Sequence, residues 1–329
     1  VLVKRTYRHA RLLGSALALA ASLVLAAVGA GPARADAAPY VAWSTYLPGW
    51  TDAYVPSSAN DCVAGRPVCL RQTRKELGRI LTETAHSCSH DAVFALAYTR
   101  ITQTYAWSRD IPGYYQDLPY MNHMDTVFAK YYTDAYYNYR GGRRFAVPRA
   151  WLLAFDAARD KLVTGVGDLL LGMNAHINRD LPFVLAATGL VKTDGSSGKA
   201  DYDKVEQFLN DASEAMLAEA AVRFDPTIDD ADDPLGAAYG TIFQIISAAR
   251  ENAWRNAEAL VSARNSTARA VVAAGIEAQA NAAAHTIVLA QAYVPPVTTT
   301  SVRDRYCSTH KGDAAPLSYP FGMPTPYGS

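Results

Sequence analysis

Gly172-Met173-Asn174-Ala175-His176-Ile177-Asn178-Arg179-Asp180-Leu181-Pro182 is the stretch on which the reading of this chain turns. It lies in a segment, Thr164 to Asp180, that reads as a buried helix. Pro182 bends or ends that helix, because its ring removes a backbone donor and clashes with the preceding turn. His176 and Asp180 are four apart, so a helix projects them from one face, one turn apart. Gly172 lies one turn earlier on that stripe, and Asn174 and Asn178 form a second stripe beside it. A core helix carries this much polarity when a hydrogen-bond network or an ion satisfies it.

Helical spacing also governs the segments on either side. Arg71 to Thr84 and Asp91 to Trp107 read as helices, the second with Ser89 as N-cap and with Val93, Phe94 and Ala97 facing inward. Asn122 to Tyr139 follows and is ended by Gly141-Gly142. Pro148 starts a short helix through Arg159. Beyond the central motif, Asp201 to Arg223, Leu235 to Arg264 and the Ala-rich Ser266 to Ala292 are periodic in the same way. Residues 36–70 read as an irregular segment tied by a disulfide. Residues 293–329, rich in Pro, Thr and Tyr, read as an extended tail. No strand alternation stands out, so the expected fold is all-α: an antiparallel helical bundle of six or more helices spanning residues 71–292, with irregular extensions at both ends.

The first 35 residues read as an export signal. Lys4, Arg5, Arg8 and Arg11 precede an uncharged apolar stretch from Leu12 to Ala30, and Ala33-Arg34-Ala35 supplies a small-residue cleavage site. An uncleaved membrane anchor is the alternative, since 19 apolar residues approach a membrane span. Cleavage after Ala35 removes five basic and no acidic residues, so 31 against 31 becomes 26 against 31, a net charge of about −5. A mildly acidic secreted chain is a poor binder of nucleic acid or anionic membranes by bulk charge. All four cysteines, Cys62, Cys69, Cys88 and Cys307, lie in the exported part, which favours two disulfides. Of the three connectivities, Cys62–Cys69 with Cys88–Cys307 is preferred. A Cys/His metal site around His86, Cys88 and His90 is the rival.

His176 and Asp180 at one-turn spacing suit a divalent metal, with further ligands drawn from facing helices. Asp125, early in its helix with His123 nearby, and Asp91 are the candidates, and Glu258 lies on a stripe with Arg250 and Trp254. The competing reading is a buried polar network in which Asp180 and Asp125 orient His176, Arg179 and Arg250. A third is a metal-free site in which His176 is a general base oriented by Asp180. His86 and His90 read as surface or capping groups. The tyrosines crowded between Tyr114 and Tyr139 read as helix-contact groups with their hydroxyls in water, or as a surface for sugars or partners. No G-x-S-x-G, P-loop, G-x-G-x-x-G or H-E-x-x-H motif is present.

Several segments together resemble a mostly actinobacterial family, domain-of-unknown-function family 5995. They are Asp91 with Phe94, Tyr98 and Thr102; Met124 to Ala129; Val147 to Trp151; Gly172 to Pro182; Asp201-Tyr202 with Val205; and Ala249-Arg250-Glu251 with Ala253, Trp254 and Ala257. The resemblance covers about residues 85–265. It implies a helical fold and a shared polar site built from Asp91, Asp125, His176, Asp180 and Arg250, without naming an activity. The expectation is a secreted metal-dependent hydrolase of phosphoesters or other esters. Asp125, His176, Asp180 and Asp91 would hold the ion, expected to be zinc, and His176, Asp180 and Arg250 would act on the substrate. The alternative is a non-catalytic protein that binds the cell envelope or a partner. The expected partners are a small-molecule or cell-envelope ligand, with no nucleic acid and no membrane span after processing.

Overall fold

The computed structural model describes residues 52–228, 237–296 and 298–322. The expected export signal lies outside them. In chain order the helices are α1 (Pro67–His86), α2 (Ala92–Ser108), α3 (Leu118–Arg140), α4 (Arg149–Arg159), α5 (Gly165–Met173), a π-helical segment (Asn174–Asp180), α6 (Leu181–Thr188), α7 (Lys199–Lys204), α8 (Glu206–Arg223), α9 (Ala237–Ser262), α10 (Ser266–Gln291) and α11 (Ser301–His310). Among the described residues there is no strand, only the isolated bridges Val163–Ala292 and Val191–Ser197. The fold is an all-α bundle. No helix of the described residues is long and apolar enough to cross a membrane.

Two helices are buried on nearly every side and organise the rest. α2 buries almost its whole length, from Ala92 to Ser108, and α6 buries all of its residues. The sequence suggested a single inward face for α2. Its polar side chains conceal the difference, because several of them are satisfied inside the protein. Thr99 and Thr104 hydroxyls donate back to the carbonyls of Ala95 and Arg100 at 2.7 and 2.8 Å. Arg100 forms a two-pronged pair with Glu219 of α8 at 2.9 and 2.8 Å, and Tyr319 donates to the same carboxylate. A buried charge is tolerable when it is paired and hydrogen-bonded in this way. α1 and α8 pack on α2, and α9 and α3 pack on α6. The π-helical segment joins these layers and touches α3, α4, α9 and α10.

Several boundaries differ from the periodicity reading. α1 begins at Pro67, inside the stretch expected to be irregular, because a proline suits the first turn of a helix. Ser89 does not cap α2; its hydroxyl bonds the Asp91 carboxylate at 3.2 Å. Pro182 sits in the first turn of α6 and neither ends nor breaks the run. The segment from Asp201 to Arg223 is interrupted at Val205. The tail is not simply extended, since α11 forms within it. Both disulfides, Cys62–Cys69 and Cys88–Cys307, are formed, and the second ties α11 to the start of α2. Beside it, Arg303 of α11 donates to Asp168 of α5 and contacts His90. His90 is therefore a buried network residue, also bonded to Asp304, rather than a surface or capping group. Tyr115, Tyr120, Tyr131, Tyr132 and Tyr136 are buried as well, so their hydroxyls do not face water as expected.

Candidate functional site

The polar motif adopts a conformation that its spacing does not announce. From Asn174 to Asp180 the helix widens to i→i+5 hydrogen bonds, and the Leu181 amide donates to the His176 carbonyl. Such π-helical turns are rare and concentrate at functional sites, where they re-aim side chains. His176 Nδ1 and Asp180 Oδ2 still meet, at 3.3 Å. Asp180 is completely buried. Its carboxylate is held by two further donors, Trp151 Nε1 on Oδ2 at 2.8 Å and Arg179 on Oδ1 at 2.9 Å. Arg179 in turn pairs with Glu277 of α10.

The imidazole of His176 is clamped by aromatic rings. Phe128 of α3 stacks face to face on it at 3.6 Å, and Tyr98 of α2 meets it edge-on at 4.3 Å. Burial lowers the His176 pKa below its ordinary 6.5, the Asp180 carboxylate opposing that shift. The ring is thus neutral at pH 7. Because a carboxylate only accepts, the proton sits on Nδ1 and the lone pair is on Nε2. Nε2 is buried without any hydrogen-bond partner.

His176 lines a cavity of about 120 Å³ whose wall is otherwise largely apolar: Phe94, Leu169, Met121, Leu209 and Met216 are typical. A volume of this order resembles apolar cavities that stay dry and admit a benzene-sized molecule. Three of the expected site groups lie on its wall: His176, Asp125 and Arg250. Asp125 Oδ2 is buried and unpartnered, and burial alone pushes its pKa up to about 7. Arg250 is already engaged. It donates to the Tyr202 carbonyl at 2.7 Å, lies over the Tyr202 ring at 4.1 Å and pairs with Glu206 at 3.4 Å. Tyr98, not singled out as an acting group from the sequence, contributes a buried hydroxyl that has no partner. Burial holds its pKa well above 10, with the Asp125 and Asp180 carboxyls adding to the rise and the Thr102 hydroxyl pulling against it.

Asp180 does not line this cavity; it stands behind His176. Asp91 lines a different void of about 10 Å³, on the other side of Phe94, with Asp168 and Gly172. Its pKa is also pushed up to about 7, by burial and then by the neighbouring Asp168. Glu258 is occupied by Trp254 and Arg255. The residues expected to share an ion therefore do not fit one. Asp180 has its oxygens committed, and Asp91 and Asp125 open on separate voids. Among the described residues no three His, Cys, Asp or Glu side chains gather as a ligand set.

A family model described as a family of unknown function (DUF5995) matches residues 70–290. The chain belongs to this family. The DUF5995 match is wider than the resemblance in the sequence suggested, running from the first turn of α1 almost to the end of α10. It includes every wall of the His176 cavity and leaves out α11, whose Arg303 and Cys307 brace this DUF5995 member from outside the matched region. No curated protein and no solved structure matches the chain.

Proposed function

We propose that this protein is an enzyme that moves a proton on a small, largely apolar carbonyl compound held in the His176 cavity. His176 Nε2 is the base. Asp180 fixes its tautomer and stabilises the imidazolium that forms, and Trp151 and Arg179 hold Asp180. The Tyr98 hydroxyl and the protonated Asp125 carboxyl are two neutral donors for the carbonyl oxygen as it gains charge. A buried Tyr paired with a carboxylic acid kept neutral by its surroundings is a known way to stabilise an enolate. The step balances without a co-reactant. His176 takes the hydrogen on the carbon next to the carbonyl, and the electron pair moves to the oxygen. The proton then returns to the same carbon or to another one.

The observation that carries this reading is the His176 ring itself: Nδ1 fixed by Asp180, Nε2 buried and unpartnered on the wall of an apolar cavity. Hydrolysis of an ester, expected from the sequence through a metal-bound water, would use the same base and donors with water activated by Nε2. We also infer that the chain works outside the reducing cytoplasm, a reading supported by its two disulfides.

Exchange of the α-hydrogens of cyclohexanone for solvent deuterium, followed by proton NMR, tests the proposal. The protein accelerates exchange, and His176→Ala and Asp125→Ala each lower the rate at least tenfold. A rate equal to the buffer background for cyclohexanone and a panel of other monocyclic ketones overturns it. Cleavage of p-nitrophenyl acetate in place of exchange would assign the site to ester hydrolysis.

A further inference from the structure

The π-helical segment has a second compartment on its other flank. A cavity of about 30 Å³ lies between α5, the π-helical segment, α9 and α10, with Leu170, Ile245, Ala249, Ala283, Thr286 and Ile287 on its wall. Met173, Ile177 and Ile246 line both this cavity and the larger one. The partition is therefore made of flexible apolar side chains, and an unbranched methionine yields readily to a ligand.

The smaller compartment carries one fixed polar atom. Asn174 Nδ2 donates to the Ala280 carbonyl at 2.8 Å, and Asn178 Nδ2 donates to Asn174 Oδ1 at 3.0 Å. A carbonyl only accepts, so the first bond sets the Asn174 amide and the second sets that of Asn178. What remains is Asn178 Oδ1, an acceptor that is buried and has no partner. A buried acceptor left unmade is costly, and a ligand donor that reaches it recovers that cost.

We propose that the smaller compartment binds the far end of the same ligand, and that this end bears a hydroxyl or N–H group donating to Asn178 Oδ1. The inference rests on the proton-transfer reading and narrows its substrate class. The ligand is an elongated apolar molecule with its carbonyl beside His176 and a hydrogen-bond donor across the Met173–Ile177–Ile246 partition. The side chains of one helical segment read both ends of it: His176 the reacting end and Asn178 the donor end.

The test uses binding, not turnover, so it separates failure of this inference from failure of the proposed chemistry. Primary alcohols from 1-butanol to 1-octanol, and hexyl methyl ether as the partner of 1-hexanol without a donor, are titrated calorimetrically into the full chain. Affinity should rise about fourfold for each added methylene as the chain passes the partition. 1-Hexanol should bind about tenfold tighter than the ether. Asn178→Leu should erase that preference, and His176→Phe should keep it. Thr286→Phe, which fills the smaller compartment from the half-buried face of α10, should weaken every alcohol at least tenfold and covers the case in which Asn178→Leu does not fold. The inference is overturned by alcohol and ether binding equally, by alcohols not binding at all, or by Thr286→Phe leaving affinity unchanged. It is equally overturned if the preference disappears in His176→Phe, since the hydroxyl then sits at the acid–base site.

Discussion

The indole N–H of Trp151 donates at 2.8 Å to Asp180 Oδ2, the same oxygen that faces His176 Nδ1. Trp151 thereby sets where the carboxylate points, and the carboxylate sets the histidine tautomer. Trp151→Phe keeps most of the ring packing and removes the donor. It should cost about 1–3 kcal/mol of stability in urea unfolding, the penalty for a buried acceptor left short of a partner. In the exchange assay kcat should fall while KM holds, because Trp151 does not line the cavity. An unchanged kcat would show that Asp180 needs no such support.

Asp125 sets the pH dependence. Its pKa in the folded protein is about 7 against an ordinary 3.8, so folding favours its protonated form. The sign follows from proton counts: between those values the folded chain binds the extra proton, and stability falls as pH rises. Asp125→Asn should leave stability near wild type at pH 3.5 and raise it by on the order of 4 kcal/mol at pH 8. Activity should also change shape. Wild type should lose activity above about pH 7 as Asp125 ionises, and on the acid side only at a pH lower than an ordinary imidazole would need, because burial lowers the His176 pKa. Asp125→Asn, which keeps a donor, should retain the acid limb and lose the alkaline one.

Gly172 is required by contact with Phe94. A Cβ on Gly172 would stand 2.3 Å from the Phe94 ring, a separation that forces movement. That ring also packs edge-on to His176 at 5.9 Å and to Trp151 at 5.3 Å. Gly172→Ala should cost about 2 kcal/mol by overpacking. Phe94→Leu in the same chain should recover part of the loss, and a double-mutant cycle reads the coupling directly. Strict additivity of the two changes would show that the helix accommodates the methyl group elsewhere.

Cys88 and Cys307 are 219 residues apart in sequence and hold α11 against the start of α2. Cys307→Ser should lower stability by about 3–5 kcal/mol, the range for a bridge that closes a long loop. The measurement is the urea midpoint with and without reductant. Reductant should lower the midpoint of wild type by more than that of a Cys88→Ser, Cys307→Ser chain, in which only the short Cys62–Cys69 loop is left to open.

Much of this architecture is legible in the sequence. Apolar spacing marks α1 to α5 and α8 to α10, whereas α6, which begins at the proline expected to bend or end the run, and the short α7 are not marked as separate helices. The four-residue step from His176 to Asp180 marks the pair that meets. The cysteine pairing follows from short-loop closure and elimination. What is not legible has physical causes. Thr99, Thr104 and Arg100 make α2 look half exposed, since a side chain satisfied inside the protein reads like one facing water. Asp91 and Asp125 look equivalent as carboxylates near helix starts, yet Phe94 puts them on different voids. α11 is invisible because its order comes from Cys307 and Arg303, not from an apolar face. The i→i+5 turn has no composition signature at all.

That turn has a simple arithmetic. A π-helical turn is an α-helix carrying one residue too many, accommodated without breaking the flanking turns. A chain shorter by one residue between Asn174 and Asp180 could return to regular α geometry, with α5 and α6 intact on either side. The wider turn already absorbs the extra residue, so its removal would leave the flanking turns in register and change only where the side chains inside the segment point. The side chains within the segment, Asn178 among them, would be re-aimed, and the bundle would keep its helices. A single codon thus separates a regular helix at this place from one whose buried polar side chains are aimed by the wider turn.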